Sequence, residues 1–363
     1  AAGRGTRMLP ILTPKQFMDV TGDGESTLRK TFRRALQLVP RQRILIMTRP
    51  DEEDTPFASV VREQLPQLGL LNANLVVTPK ALSQALGAMF AAGYVAARDR
   101  NAVLIIMPAD QVIQNEPIFT TAAKQAVAAA QSGPVFVLLG AAPRASLTER
   151  AIRQFGWIKP NDQRFWLKGN GAPFFRVQTF KEKPQPDELS DWRTWLMSTG
   201  IYVSHVGTLK KQFEAIRHRD PQMPDLVGHF DDIRASLYTD EEREWLERIA
   251  DALPDEDANL DLRIVVGQAE ELRQLVVQHT GIRFIDAGSL RDLERTLPRD
   301  EAGNAIRGVF RATNARRNVV YAVDGQEIVG DGIDDVIIAA TPQMTFVMPK
   351  ASAQEPKEIT EQL

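Results

Sequence analysis

The feature that most constrains the fold is the alternation of short apolar runs with helical stretches in the first half of the chain. Residues 44–48, 103–107 and 135–139 are typical of buried strands, because each run is short and rich in large apolar side chains. Residues 81–98 and 118–131 have the composition and length of helices. Strands that alternate with helices predict right-handed crossovers and an α/β fold. We expect a Rossmann-like, mixed and mostly parallel sheet flanked by helices.

The character of the chain changes near residue 299. Short β-branched runs at 318–323 and 336–340 are separated by glycines and Asp-Gly pairs, which predicts a small all-β unit of the short β-helix type. The expected organisation is a large α/β domain at 1–298, a β-rich domain at 299–350 and a polar tail at 351–363. A glycine loop starts almost at Ala1, and such loops normally follow a strand, so we expect a first strand before the given residues.

The composition narrows the functional class. The 363 residues are 43% hydrophobic and 25% charged, as in an ordinary globular protein with a large core. The net charge of -3 gives no bulk attraction to nucleic acid or anionic membranes, and no apolar run approaches the roughly 20 residues of a membrane span. The absence of cysteine excludes disulfides and thiolate metal sites. It also fits a reducing compartment, so we expect a cytoplasmic protein that binds neither nucleic acid nor membrane.

A glycine loop followed by basic residues indicates phosphate binding. Gly3 and Gly5 let backbone N–H groups approach a phosphate closely, and Arg7 and Lys15 add positive charge where a triphosphate needs it. A plain strand-to-helix turn has the same glycine spacing, so this loop alone decides nothing. A dinucleotide-binding loop is disfavoured, because Met8 stands where its third glycine belongs.

Three further motifs carry charged side chains. Asp110 follows a predicted strand, at the sheet edge where ligands bind, and Asp286 could supply a second carboxylate for the same magnesium ion. In the FKEKP motif, Lys183 could neutralise a sugar phosphate and Glu182 could accept hydrogen bonds from sugar hydroxyls. Each motif has a structural alternative, which is a cap or turn for the aspartates and a solvated surface for Lys-Glu-Lys.

Taken together and in this order, the motifs resemble those of the sugar-1-phosphate nucleotidyltransferases. The residues that carry the resemblance are AAGRGTRMLP, PKQF, MPADQVI, Gly156-Trp157-Ile158, FKEKP, STGIY, FIDAGS and DEAGNAIRG. They run from Ala1 to about Met348 and are most similar to the bacterial mannose-1-phosphate guanylyltransferases. The resemblance implies a magnesium-dependent enzyme that joins a nucleoside triphosphate to a sugar 1-phosphate and releases pyrophosphate. GTP and mannose 1-phosphate are the favoured substrates. A homodimer is one assembly that the sequence leaves open.

The resemblance also implies a role for each matching residue. The magnesium ligands would be Asp110 and Asp286. The nucleotide-binding residues would be Ala2, Gly3, Gly5, Thr6, Arg7, Lys15, Gln84, Pro108 and Asp110. The residues that bind the sugar phosphate would be Gly156, Glu182, Lys183, Ser198 and Thr199. Among these, the expected catalytic residues are Arg7, Lys15, Asp110 and Lys183.

Departures from the family pattern keep other functions open. Residues 78–86 read TPKALSQAL, where guanylyl members of the family carry Glu-Pro-x-x-Arg-Asn-Thr-Ala-Pro. The segment is more similar to the Pro-x-Gly-Leu-Ala-Gln-Ala of thymidylyl and uridylyl relatives, in which Gln84 matches a glutamine that reads the base. Gln111 replaces the histidine of Pro-Ala-Asp-His, and Ser198 replaces an asparagine. The alternatives are therefore an enzyme that uses UTP or dTTP, and a non-catalytic regulatory relative that binds nucleotide sugars.

Overall fold

The computed structural model describes residues 8, 10–52, 55–78, 80, 82, 84–143, 152–153, 155–165, 173–189, 191–219, 225–236, 241–252, 275–352 and 358–359. The α-helices are α1 Thr27–Leu36, α2 Ala58–Gln67, α3 Gln84–Arg98, α4 Glu116–Ser132, α5 Val206–Arg219, α6 Leu226–Ser236 and α7 Glu242–Ala252. The strands before residue 290 are β1 Ile46–Thr48, β2 Leu75–Val77, β3 Val103–Ile106, β4 Gln111–Ile113, β5 Phe136–Ala141, β6 Gly156–Phe165, β7 Phe174–Glu182, β8 Leu196–His205, β9 Leu275–Thr280 and β10 Phe284–Asp286. The strands after it are β11 Ala305–Arg307, β12 Val309–Thr313, β13 Val319–Ala322, β14 Glu327–Asp331, β15 Val336–Ala340 and β16 Thr345–Pro349.

The helix α4 joins β3 to β5, as the predicted crossover requires. These two strands run in the same direction, because β8 lies between them and pairs antiparallel with both. In the same sheet β9 pairs parallel with β5, whereas β7 pairs antiparallel with β9 and β6. The α/β fold and the mixed sheet are confirmed. The share of parallel pairs is lower than predicted, because the insertion of β8 separates strands that the crossover would otherwise place side by side.

The six-stranded sheet closes on itself at one end. β6 pairs with β7 and also with β8, at Trp157–Met197 and Ile158–Leu196, which completes a ring of β8, β5, β9, β7 and β6. Gly140 of β5 lies inside this tight arrangement, since a Cβ there would be 2.8 Å from Cγ2 of Val277 and 2.9 Å from Cδ1 of Leu196. The ring places the start of β6 beside the start of β8, where sugar-phosphate residues are predicted.

Helices cover the sheet with apolar cores of different composition. The core under α3 and α5 contains large side chains, among them Met89, Phe90 and Phe213. The core under α4 receives mostly alanines from that helix, which are Ala122, Ala123, Ala126, Ala129 and Ala130. Their short side chains let α4 lie close to the sheet. No helix in the described ranges is both long enough and apolar enough to cross a membrane.

The C-terminal strands form the β-rich region that the sequence predicts. β13 pairs parallel with β11 and with β15, β12 pairs parallel with β14, and β16 closes the larger sheet antiparallel to β15. This pattern of parallel strands in successive turns is β-helix-like. Two buried asparagines join the turns, because the Nδ2 of Asn318 donates to Oδ1 of Asn304 at 2.9 Å and its Oδ1 accepts from the Val336 N–H at 3.0 Å.

The β-rich region shares an apolar core with the segment before α1. The residues of this shared core include Met8, Ile11, Met18, Val20, Val319, Tyr321, Ile337 and Met348. The same contact continues at Gly22, which has a φ of +70° and whose Cβ would lie 2.7 Å from Cδ of Pro298. The segment around the PKQF motif is therefore packed between the β4–β10 pair and the β-rich region.

Candidate functional site

Lys15 is held in a tight turn at the start of the PKQF motif. Pro14 precedes a short 3-10 helix at Lys15–Phe17, and the hydroxyl of Thr27 donates to the carbonyls of Lys15 at 3.3 Å and Gln16 at 3.2 Å. Thr27 is the first residue of α1 and is fully buried, and Lys15 itself is only 4% exposed. The lysine is therefore fixed from its backbone, a role of Thr27 that no sequence motif indicated.

The ammonium of Lys15 lies between two carboxylates from distant parts of the chain. Its Nζ is 3.2 Å from Oδ2 of Asp110 and also forms an ion pair with Oδ1 of Asp286. The two aspartates meet because β10 pairs antiparallel with β4, which places Asp286 opposite Gln111, the residue after Asp110. Residues predicted separately for triphosphate and metal thus belong to one cluster of charges.

The carboxylate pair fits a divalent cation. Both carboxylates turn towards the same point, at which a positive charge already lies, and carboxylate oxygens are the ligands that magnesium prefers. The aspartate side chains remain partly open, with 42% of Asp110 and 21% of Asp286 exposed. Within the described ranges no group of three or more His, Cys, Asp or Glu side chains gathers as a metal site. Two protein carboxylates, with water and substrate phosphate as the other ligands, are the usual arrangement for magnesium.

A second group of predicted residues lies at the β6–β7 pair. Gly156 is paired with Glu182, and a Cβ on Gly156 would lie 2.8 Å from Oε2 of Glu182 and 2.8 Å from Cζ of Phe180. Only glycine leaves room for the Glu182 carboxylate to lie over the strand. The predicted contact of Gly156 with the sugar stays a prediction.

Lys183 has an unusual backbone at the end of β7. Its φ is +45°, in the left-handed region, although it is not glycine and it precedes a proline. The N–H of Lys183 donates to the Phe155 carbonyl at 3.1 Å. Its side chain is 65% exposed, with Nζ 3.7 Å from Oε1 of Glu182. Strained backbone of this kind is concentrated at ligand-binding sites, and here it leaves the ammonium accessible beside Glu182.

The STG segment of β8 connects the two groups. Ser198 is 9% exposed and its Oγ accepts from the Gly200 N–H at 3.3 Å, whereas Thr199 is fully buried and its hydroxyl donates to the Leu139 carbonyl at 2.7 Å. Gly200 has a φ of +69°, and a Cβ there would lie 3.1 Å from Cγ of Pro108. The PAD and STG motifs are therefore in direct contact, but the Thr199 hydroxyl is directed into the sheet.

Several predicted nucleotide-binding residues lie outside the described residues. They are Ala2, Gly3, Gly5, Thr6 and Arg7. Gln84 begins α3, but its side chain is not among those described. The roles predicted for all these residues stay predictions.

Comparisons with known proteins relate the chain to the nucleotidyl transferases. Residues 1–245 match the family model described as nucleotidyl transferase. The chain is 26% identical over 375 residues to mannose-1-phosphate guanylyltransferase 2 of Escherichia coli O157:H7, and 25% identical over 373 residues to mannose-1-phosphate guanylyltransferase of Salmonella montevideo. Each alignment covers 100% of this chain and 72% of the relative. A crystal structure from Thermus thermophilus, described as mannose-1-phosphate geranyltransferase, matches with a TM-score of 0.76 over 99% of this chain and 97% of that chain, at 23% identity. That likeness shows a shared fold.

Proposed function

Because the chain belongs to the nucleotidyl transferase family, we propose that it joins a nucleoside triphosphate to a sugar 1-phosphate and releases pyrophosphate. GTP and mannose 1-phosphate are the favoured substrates, since the relatives named above are mannose-1-phosphate guanylyltransferases. The observation that carries the proposal is the contact of Lys15 with both Asp110 and Asp286. This contact supports a single site at which a divalent cation and the phosphates of the triphosphate can bind next to each other.

The proposed reaction is an in-line attack by an oxygen of the sugar 1-phosphate on the α-phosphorus, with pyrophosphate as the leaving group. The attacking oxygen already carries negative charge, so the protein needs no general base. The difficulty is the repulsion between two anionic substrates, and catalysis is then positioning together with electrostatic stabilisation. Asp110 and Asp286 are the residues that would hold magnesium, which when bound would neutralise part of the phosphate charge.

The other side chains of the site have separate proposed roles in binding the two substrates. Lys15 is close enough to the carboxylates to hold phosphate oxygens of the triphosphate next to them, and with Arg7 it would retain the leaving pyrophosphate. Lys183, with its exposed ammonium, would neutralise the incoming sugar phosphate, while Glu182 would accept hydrogen bonds from the sugar. Ser198 lies one residue beyond the Trp157–Met197 pair, and so close to Gly156. This position supports a place for the sugar at the junction of β6 and β8.

A substrate matrix tests this proposal. Pyrophosphate release should be measured with ATP, GTP, UTP and dTTP, each crossed with mannose 1-phosphate and glucose 1-phosphate in the presence of magnesium. We expect the highest rate with GTP and mannose 1-phosphate. A clear preference for UTP or dTTP would contradict the guanylyl assignment but keep the reaction class. No pyrophosphate from any pair would favour a non-catalytic relative that binds nucleotide sugars.

The base preference has its own test at Gln84. A glutamine amide can both donate and accept, so it can pair with the edge of guanine, thymine or uracil. We expect Gln84→Ala to reduce discrimination among the triphosphates by about 1–3 kcal/mol, while the maximal rate changes less, because a buried base edge is left unpaired. The matched control is Gln131→Ala on the exposed face of α4, which should leave discrimination unchanged. An unaltered preference in Gln84→Ala would place base recognition elsewhere.

A further inference from the structure

Gln111 occupies the point at which the carboxylate pair and the sugar-phosphate strand meet. It follows Asp110 directly, and as the first residue of β4 it is paired with Asp286 of β10. Its side chain, in contrast, leaves that pair of strands and reaches β8. Its amide Nε2 donates to the carbonyl of Thr199 at 2.7 Å, across 88 positions of sequence.

The partner of this hydrogen bond is itself fixed. Thr199 is fully buried, and its hydroxyl is bound to the Leu139 carbonyl of β5 at 2.7 Å. The neighbouring Gly200, in the left-handed region, lets Pro108 approach to 3.1 Å from the position of a Cβ. A rigid acceptor on one side and close packing on the other hold the Gln111 side chain in one place.

The orientation of the amide is determined by chemistry. A carbonyl oxygen accepts hydrogen bonds only, so the NH₂ group of Gln111 must face Thr199, and a flipped amide would bring two acceptors together. The other end of the amide, Oε1, is buried and has no hydrogen-bond partner within the described part of the chain. The side chain therefore acts at this place through its donor, and a carboxylate of the same shape could not replace it.

We propose that Gln111 is a positioning residue that fixes the position of the Asp110–Asp286 pair relative to the Ser198–Gly200 segment. It thereby aligns the incoming sugar phosphate with the triphosphate. This inference rests on the proposed function. It assigns Gln111 no contact with either substrate. Small displacements of reacting groups have large effects on rate, and a misplacement of about 1 Å can reduce turnover on the order of a hundredfold.

Four variants separate the donor from the shape of the side chain. Gln111→Glu keeps the shape but has no donor, Gln111→Met removes all polarity, and Gln111→His offers a ring N–H, as in the relatives with Pro-Ala-Asp-His. Gln114→Met, an exposed glutamine three positions along the same segment, is the matched control. We expect kcat to fall about tenfold to a hundredfold in the Glu and Met variants, with partial recovery in the His variant and little change in either KM.

A distance measurement makes the test independent of turnover. Mn²⁺ bound at the carboxylates shortens the ³¹P relaxation time of mannose 1-phosphate according to the distance between metal and phosphorus. We expect this effect in the wild type and a clear change of it in Gln111→Met, with thermal unfolding close to that of the wild type. Unchanged kcat and unchanged relaxation in Gln111→Met would overturn the inference, and so would a loss of kcat that only follows a loss of folded protein. Absence of turnover in the wild type would count against the proposed function, while the relaxation of the variants would still decide the role of Gln111.

Discussion

Two parts of the molecule bury polar side chains almost completely, and they do so in opposite ways. At the candidate functional site, Lys15 is 4% exposed and contacts Asp110 and Asp286. In the β-rich region, Asn304 and Asn318 are 2% and 1% exposed and contact each other. Burial alone therefore does not distinguish a residue of a candidate ligand site from a structural one.

The difference lies in the partners. Asn304 and Asn318 are neutral, and backbone groups such as the carbonyls of Ala315 and Ile333 complete their hydrogen bonds, so their burial is compensated inside the fold. Lys15 is charged, and its partners Asp110 and Asp286 still face solvent in part. A buried charge held by partly open carboxylates indicates a place for a ligand, whereas a closed amide network stabilises the chain.

The largest effect should follow from the carboxylates. Asp110→Asn and Asp286→Asn each keep the shape of the side chain but remove a negative charge from the proposed cation site. We expect turnover to fall roughly a hundredfold or more, with thermal unfolding near that of the wild type, as measured by pyrophosphate release and by calorimetry. The control is Asp251→Asn on the exposed end of α7, which should keep full activity. Rates like those of the wild type in both site variants would remove the proposed centre.

The two lysines should separate the substrates. We expect Lys15→Ala to act chiefly through the triphosphate and Lys183→Ala chiefly through the sugar phosphate. Each should lose roughly 2–4 kcal/mol of transition-state stabilisation, because a charge-assisted contact with a substrate phosphate is removed. Steady-state kinetics with each substrate varied in turn measure this. Lys181→Ala is the control, since the Lys181 ammonium donates to the Glu188 carbonyl. Small and equal effects of both variants on the two Michaelis constants would contradict the assignment.

The asparagine pair should affect stability and not turnover. Asn318→Ala leaves buried backbone groups without partners, so we expect the free energy of unfolding to fall by about 1–3 kcal/mol. The rate per folded molecule should stay unchanged. Chemical denaturation and pyrophosphate release measure the two quantities, and Asn101→Ala on an exposed turn is the control. A loss of rate without a loss of stability would contradict the structural role that we assign to the asparagine pair.

The smallest effect is expected at an exposed ion pair of the β-rich region. Hydrogen bonds from Arg317 hold the pKa of the Asp335 carboxyl below its ordinary value. A carboxyl with a lowered pKa in the folded state stabilises the fold above its unfolded pKa, and this contribution disappears as the pH falls through the folded pKa. Arg317→Gln should therefore be slightly less stable than the wild type at neutral pH, and the gap should close in acid. Melting temperatures against pH measure it, and a gap that widens on acidification would contradict this account.

Local patterns in the sequence predicted the helices and strands well. The reason is that secondary structure depends largely on residues that are close together in the sequence. The α/β class and the β-rich region follow from such patterns, whereas the roles of Asp110, Asp286 and Lys15 stay predictions. The place of β8 between β3 and β5 does not, because the order of strands in a sheet depends on contacts between distant residues. For the same reason the sequence assigned Lys15 to the triphosphate and the aspartates to the metal, without their mutual contact.

Two residues show where motif comparison reaches its limit. The motif shows Gln111 only as a replacement for histidine, whereas the fold shows its hydrogen bond to the Thr199 carbonyl. Asn304 belongs to the DEAGNAIRG motif that carries the resemblance, yet its amide bonds Asp300, Ala315 and Asn318 within the β-rich region. A motif can thus be shared because it supports the fold as well as because it supports the reaction.

The central claim is that two aspartates, far apart in sequence, form one cation site beside Lys15. Electron paramagnetic resonance of Mn²⁺ titrated into the nucleotide-free protein tests it directly, with the wild type, Asp110→Asn, Asp286→Asn and the double variant. We expect each single substitution to weaken Mn²⁺ binding about tenfold or more, and the double variant to lose little beyond either one, because ligands of a shared ion are not independent. Binding that is unchanged in the single variants, or losses that add as if the aspartates held separate ions, would contradict the account.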